Sequence, residues 1–346
     1  MPQIITPDDF DHWLKLKTED VSSTEVSALF GISPYSTEFE LWHQKASGEI
    51  FTLEDNDRMY CGRMLEDTIA KMVSEQLGIK VAPLKTYHRH DTCPKMSSSF
   101  DYEIIEIPFG SGLHKMNPNL KGRGLLEIKN VDSLIYRDEW FDDEAPPHIE
   151  AQVQHQLEVE KVEWALIVAL VGGNRMKIIL RERDHDMGQA ICRRVTEFWA
   201  SVDSGVAPEP NFERDADFIM SMYDNDCGEP MDISDDIGLR SLVISFKELR
   251  DHYNLLEKAT TAIKAEVLHR VGDASALVTN DGLTVNLTLT KSTMPTTITQ
   301  DMVGTEQGGR KGWRQFRISQ KKPATVAKEK AKKVAPVIIN DEDIML

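Results

Sequence analysis

Two side chains in residues 124–131, Glu127 and Lys129, have types and spacing that could do chemistry together. In an extended strand alternate residues share a face, so Leu126 and Ile128 point one way and Glu127 and Lys129 the other. A carboxylate and an ammonium so placed either form an ion pair on a solvated face or act jointly on a divalent cation and a water. An isolated Glu-x-Lys is usually the former; here the neighbouring segments favour the latter. Residues 97–105 read as an alternating, strand-like run with Asp101 at its start. An antiparallel return through a polar loop holding Gly110, Gly112, Pro118, Gly122 and Gly124 would bring Asp101 beside Glu127. Two carboxylates and the backbone carbonyl of Ile128 then form a hard-oxygen set suited to Mg²⁺ or Mn²⁺. Lys129 would orient the nearby water, lower its pKa, or offset charge developing on a phosphate.

The elements that must position these groups follow from periodicity. Residues 56–77 predict a helix whose buried stripe is Leu65, Ile69, Met72 and Val73, with Glu66 at the stripe's edge. Pro146 and Pro147 start a helix over 148–159 in which Gln152, Gln156 and Val159 share a face. A glutamine on a buried face must hydrogen-bond something, whether an active-site lysine, a water or a phosphate. Residues 165–171 are continuously apolar and predict a strand buried on both faces, turned by Gly172-Gly173-Asn174 into a hairpin partner over 176–182. A helix over 187–203 follows, with Ile191, Val195, Phe198 and Trp199 on its core face.

Nearer the start, residues 6–17 read as a helix capped by Thr6 with Pro7 at its first position. Ser22 and Glu25 have capping-box spacing, and Gly31 suits the end of that helix. Amides and hydroxyls at such a start suit an anion, including a DNA phosphate, although capping alone explains the serines. A further helix over 37–46 is expected to bury Phe39, Leu41 and Trp42.

The 346 residues are enough for two domains with sizeable cores. Forty per cent are hydrophobic and 28% charged, with mean hydropathy -0.37, and no apolar run approaches the ~20 residues of a membrane span. The acidic N-terminal stretch lacks the basic-then-apolar pattern of a signal peptide. Cys61, Cys93, Cys192 and Cys227 are scattered without a Cys-x-x-Cys, which points to a reducing compartment and away from zinc or iron–sulfur sites. No membrane role and a cytoplasmic location are the expectation. The net charge of -17 argues mildly against nucleic acid, because phosphate neutralisation drives nonspecific DNA binding; a local groove can still differ from the global sum.

Residues 244–271 predict a long helix striped by Phe246, Leu249, Tyr253, Leu256, Ile263 and Val267, read as an accessory arm or oligomer contact. Residues 282–290 alternate as a strand with which 313–319 could pair. Residues 320–333 are lysine-rich with Pro323 and read as a linker. Residues 340–346 form an acidic end with an apolar tip, read as a solvated terminus.

Gly31-Ile32-Ser33-Pro34-Tyr35, Glu40-Leu41-Trp42, Gly62 through Glu66, Asp101, Glu127-Ile128-Lys129 and Ala151-Gln152-Val153-Gln154 occur in one order. In that order, residues 10–212 resemble the YqaJ-like viral recombinase family, the lambda-exonuclease type of PD-(D/E)xK nuclease. The resemblance implies an α/β (α+β) fold: a restriction-endonuclease-like core with a mixed central sheet flanked by helices, then a C-terminal helical arm and a small β element. It implies a nuclease domain over 1–212, a helical accessory region over 213–272, a small β region over 273–322 and a charged tail over 323–346.

Asp101 and Glu127 match the family's metal-binding acids, Lys129 its catalytic lysine, Glu66 its helix carboxylate (toward a second ion or bound waters) and Gln152 its site glutamine. Thr24 with Ser23, and Lys17 where relatives place an arginine, match the 5′-phosphate pocket. Phe100 and Tyr102 flank Asp101 where the family usually has proline or glycine, which puts the turn geometry in doubt. The implied activity is Mg²⁺- or Mn²⁺-dependent exonuclease action, 5′ to 3′ on linear double-stranded DNA ends, leaving 3′ single strands. The implied partners are a single-strand annealing protein and further copies of the chain, as in a trimeric ring. A structure-specific endonuclease and a non-catalytic DNA-end binder are the alternatives.

Overall fold

A computed structural model of the chain describes residues 1–50, 56–141, 144–223, 229 and 231–288, together with the short strands 296–297, 306–307 and 317–320. It divides into a unit spanning Met1–Cys227 and a second spanning Gly228–Leu346.

The first unit begins with strand β1 (Gln3–Ile5) and helix α1 (Phe10–Glu19). The expected cap at Thr6 is not used. Asp9 caps α1 instead by accepting the His12 amide at 2.8 Å, because residues 3–5 are held extended by pairing in a sheet. Strand β2 (Val21–Ser22) leads to the single turn α2 (Val26–Leu29), with Gly31 in the left-handed conformation after it. Only half of the expected capping box forms. Glu25 takes the Ser22 amide at 2.8 Å, whereas the Ser22 hydroxyl bonds that same carboxylate rather than the Glu25 amide. Helix α3 (Glu38–Ser47) is capped by Thr37 and buries Leu41 and Trp42, while Phe39 is half-buried against His43 and Phe218.

Helix α4 (Asp57–Leu77) carries Glu66. Its buried seam is Ile69, Ala70, Val73 and Leu77, with Leu65 partly buried; Met72 is exposed, against expectation. The i, i+4, i+8 row from Ile69 meets the sheet, and Met72 lies a quarter-turn away from it. Strands β3 (Lys80–Pro83), β4 (Tyr87–Arg89), β5 (Met96–Ser98) and β6 (Tyr102–Glu106) follow. The loop expected to be irregular contains the short helix α5 (Gly112–Met116), capped by Ser111. Then come β7 (Gly124–Val131), α6 (Ser133–Glu139), α7 (Pro147–Glu160), β8 (Trp164–Val171), β9 (Arg175–Glu182), α8 (His185–Ser204) and α9 (Ala216–Met222).

The central five-stranded sheet has the order β3-β6-β7-β8-β9, and only β7 and β8 run parallel. The mixed sheet flanked by helices agrees with the expected fold class. The antiparallel return of β6 onto β7 also agrees, pairing Tyr102 with Leu126 and Ile104 with Gly124. Leu126 and Ile128 pack with Ile69, Val73, Leu166 and Val168 on one side. Leu125 and Val131 join Ala151, Leu157 and Ile167 on the other, where α7 lies. Gly124 is obligatory, because a Cβ there would sit 2.3 Å from the buried Trp164 ring. A smaller sheet, β1-β4-β5-β2, lies in the same unit, and β2 runs parallel to β5 through Ser22 and Ser97.

The second unit holds helix α10 (Ile237–Val271), which starts seven residues earlier than its stripe suggested, capped by Asp236. Strands β10 (Ala276–Val278), β11 (Leu283–Asn286), β12 (Thr296–Thr297), β13 (Glu306–Gln307) and β14 (Arg317–Gln320) follow. β11 pairs antiparallel with β14, the partnership expected of 282–290 and 313–319. Trp313, the linker residues from 321 onward and the acidic end 340–346 lie outside the described residues.

Candidate active site

Glu127 is the centre. It sits in the middle of β7, paired with Ile167 of β8 and one residue past the end of the β6 pairing, and its side chain is turned toward α7 and only 3% exposed. Lys129, two residues on, donates to Oε1 at 2.6 Å. From α7, Gln152 donates to Oε1 at 2.7 Å and Gln156 donates to Oε2 at 2.7 Å. These two glutamines are four residues apart and so lie one above the other on the helix face that meets the strand. The Gln152 amide oxygen accepts from Lys129 at 3.1 Å, which makes Glu127, Lys129 and Gln152 a closed triangle.

Asp101 lies in the bend just before β6. Its Oδ2 accepts the Ile128 backbone amide at 2.7 Å, so the carboxylate is fastened between the two chemistry-bearing residues of β7. Burial pushes the Asp101 carboxyl well above the usual range, and the neighbouring Glu127 charge adds to this. Glu66 is also raised, by burial first and then by Glu127. Burial pulls on the Lys129 ammonium in the opposite sense, but Glu127 and Asp101 more than offset it and hold the group charged. Three carboxylates thus act on one another around a single lysine. Their ligand atoms do not form a trio within 4.8 Å of one another.

The donor set nevertheless fits a divalent cation. It consists of hard carboxylate oxygens carrying more negative charge than Lys129 offsets, with Glu127 buried and Asp101 and Glu66 half-buried. Asp101 and Glu127 would hold such an ion, with the Ile128 carbonyl and Glu66 as further oxygen donors.

The expected phosphate residues fall in different environments. Thr24 is exposed, with its hydroxyl 3.1 Å from that of Ser22. Ser23 is buried and accepts from the Ser98 hydroxyl at 3.0 Å. Lys17 lies over the Trp13 ring and near Glu25, whose charge Lys45 pairs at 2.8 Å. Burial raises the Glu25 carboxyl, but Lys45 and Lys17 outweigh it and keep the group ionised. The two places are linked along the chain. Ser98 bonds Ser23, the Ser99 carbonyl accepts from Gln156 at 3.4 Å, and Asp101 follows two residues later.

Residues without an assigned role also border the site. Gln156 shares the clamp on Glu127; its spacing from Gln152 signalled this. Tyr35 and His148 meet edge to face at 5.8 Å, and the charge of Lys129 acts on both. Nothing in their spacing, 113 positions apart in the sequence, signals that meeting.

A second group, His90, Glu158 and Cys192, brings ligand atoms within 4.8 Å of one another. Scattered cysteines gave no sign of it. Its acceptors are already occupied. Lys161 lies 2.6 Å from both His90 Nε2 and Glu158 Oε1, and Arg183 donates to Glu158 Oε2 at 2.7 Å. An added cation would face two fixed positive charges, so we read this group as an internal ion-pair network. Among the described residues no helix is long and apolar enough to cross a membrane.

Residues 12–163 match the profile of the YqaJ-like viral recombinase domain. An uncharacterised Bacillus subtilis (strain 168) protein, YqaJ, is 24% identical over 269 residues, covering 76% of this chain and 79% of its own length. Among solved structures, the alkaline exonuclease LHK-Exo of Laribacter hongkongensis superposes with a TM-score of 0.44 at 18% identity, over 60% of this chain and 99% of that one. A phage-related exonuclease from Haemophilus somnus 129PT gives 0.38 at 14% identity, over 54% and 95%.

Proposed function

We propose that this chain, whose residues 12–163 match the YqaJ-like viral recombinase domain, is a member of that family and a divalent-metal-dependent DNA exonuclease. Its substrate is the end of linear duplex DNA, degraded 5′ to 3′ to leave a 3′ single strand that an annealing protein can use. The observation that carries this reading is the buried Glu127, fastened by Lys129, Gln152 and Gln156 beside an Asp101 that is itself tied to the Ile128 amide. Mg²⁺ or Mn²⁺, when bound, supplies Lewis-acid polarisation of the scissile phosphate.

The chain's own residues supply the rest. Asp101, in the bend that leads into β6, and Glu127 on β7 present oxygens side by side, and the bond from the Ile128 amide fixes Asp101 against β7. Gln152 and Gln156 hold Glu127 in one orientation and cost no reorganisation when substrate arrives. Lys129 remains charged and offsets negative charge that develops on the phosphate during in-line attack. Glu66 adds a carboxylate from the flank. The exposed Tyr35 ring offers a stacking surface for a terminal base, and Thr24 with Lys17 offers donors to a 5′ phosphate.

The test is digestion of linear duplex labelled at either the 5′ or the 3′ end, beside a covalently closed circle, with Mg²⁺ or with chelator. Mg²⁺-dependent loss of the 5′ label as mononucleotide, with the circle intact, is expected. Cutting of the circle would make the enzyme an endonuclease, and binding without hydrolysis would make it an end-binding scaffold.

A further inference from the structure

Residues 31–36, between α2 and α3, lie in no helix or strand, so their backbone carbonyls have no ladder or helical turn to enter. Three of those carbonyls converge on one side chain. Arg214, just before α9, donates from Nη1 to the Gly31 carbonyl at 3.2 Å and from Nη2 to the carbonyls of Ser33 and Ser36, the latter at 3.5 Å. A planar guanidinium presents its donors in a fixed fork, which an ammonium does not. The next residue, Asp215, is 1% exposed; it accepts the Thr37 hydroxyl on Oδ1 and the Asn211 amide on Oδ2 at 2.6 Å. Within the loop, the Ser33 hydroxyl accepts the amides of Tyr35 and Ser36, each at 3.2 Å. Holding α3 in place does not require the arginine. Thr37 caps that helix, and Phe218 of α9 packs against its Phe39 and His43.

What the clamped loop presents is Tyr35, whose ring is 83% exposed and meets His148 edge to face at 5.8 Å. His148, Gln152 and Gln156 follow at four-residue intervals on α7, so His148 extends toward the helix start the face that holds Glu127. The charge of Lys129 acts on both rings, which places them on the rim of the same site. Given the exonuclease reading, we propose that Arg214 is a positioning residue for that reaction. By gathering the Gly31, Ser33 and Ser36 carbonyls it holds Tyr35 against His148, where the ring receives the terminal base of the duplex. Arg214 lies beyond residue 163, where the match to the recombinase domain ends. A chain cut after α8 would therefore keep Glu66, Asp101, Glu127 and Lys129 and lose the clamp.

Steady-state degradation of linear duplex by full-length variants tests it, with hydrogen exchange of peptides covering 31–37 measured on the same preparations. Arg214→Ala should raise KM for duplex ends about tenfold, the size of one lost base stack, with kcat within about twofold of wild type. Tyr35→Ala should do the same, and the double variant should be no worse than either single one, because the arginine acts only through the ring. Arg214→Lys keeps the charge but loses the fork, and should resemble Arg214→Ala. In Arg214→Ala the amides of 31–37 should exchange about tenfold faster, with those of α7 and α8 unchanged. Additive losses in the double variant, or a KM restored by Arg214→Lys, would mean that the charge acts on DNA directly and would overturn the proposal. So would an unchanged KM or unchanged exchange in Arg214→Ala. A wild type that degrades no duplex overturns the exonuclease reading instead, and exchange in 31–37 still decides whether Arg214 holds the loop.

Discussion

Helix α7 borders two buried groups of charged side chains that are built in opposite ways. Around Glu158 every charge has its complement: Lys161 and His90 meet one oxygen and Arg183 the other, while Arg183 also pairs with Glu163 at 3.2 Å. Burial alone would raise the Glu158 carboxyl, but these donors bring it down to about 2. The backbone accommodates this closely, since Gly188 of α8 has no room for a Cβ, which would meet Glu158 Oε2 at 2.4 Å. Around Glu127 the sum fails. Asp101 and Glu66 are driven upward by burial and by Glu127, while Lys129 is the cation held against it. One group is matched by protein atoms and stabilises the fold; the other crowds three carboxylates around Lys129, where a proton or a bound cation relieves the charge. Perturbed carboxyls of this kind concentrate at functional sites, which is why the cluster carries the proposed chemistry.

The contrast can be broken from either side. The largest effect is expected at Lys129→Ala and Asp101→Asn. Each should lower nucleotide release from linear duplex by about 10²–10³-fold per folded molecule; Asp101→Asn should melt nearly as wild type, whereas Lys129→Ala strips Glu127 of its counter-charge and should melt lower. The asparagine side chain in Asp101→Asn still offers an oxygen to the Ile128 amide, so the loss would report charge and not folding. Glu158→Gln should do the reverse, destabilising the chain by about 3 kcal/mol because Arg183 and Lys161 lose a buried counter-charge, with turnover per folded molecule preserved. Denaturant melts and initial rates on the same preparation separate the two patterns.

Smaller effects sharpen it. Gln156→Leu removes one of the two amide donors to Glu127 and should reduce turnover about tenfold, less than Lys129→Ala; similar turnover for Gln156→Leu and wild type would remove Gln156 from the site. The last effect is confined to acid. Glu158 is lowered from its usual 4.5 to about 2 in the folded chain. Its stabilisation is therefore complete above pH 4.5 and is lost as pH falls from there toward 2. Glu158→Gln should flatten that part of the stability profile and leave the neutral region parallel to wild type.

Much of the Glu127 site was legible because it is built from local periodicities. Strand alternation puts Glu127 and Lys129 on one face, an antiparallel return brings Asp101 toward them, and the four-residue spacing puts Gln152 and Gln156 on one helix face, whose partner, Glu127, only the fold shows. The Glu158 group was not legible. His90, Glu158 and Cys192 come from a strand end and two helices, and no spacing links them. Tyr35 and His148 meet by the same kind of long-range packing. Caps were misread where two candidates competed: Thr6-Pro7 and Asp9 are both good starts, and pairing of 3–5 in a sheet decided between them. Met72 was assigned to the core because it is apolar and near the stripe, but the sheet touches only the Ile69–Val73–Leu77 row. In α10 the apolar stripe is visible in the sequence, while its exposure among the described residues needed the fold.

The most direct test is Mn²⁺ binding to the full chain, followed by the resonance signal of the free ion, with nucleotide release measured on the same samples. Wild type should bind the ion and degrade linear duplex, and Asp101→Asn should lose both while melting at the same temperature. Retention of binding and turnover by Asp101→Asn would contradict the account.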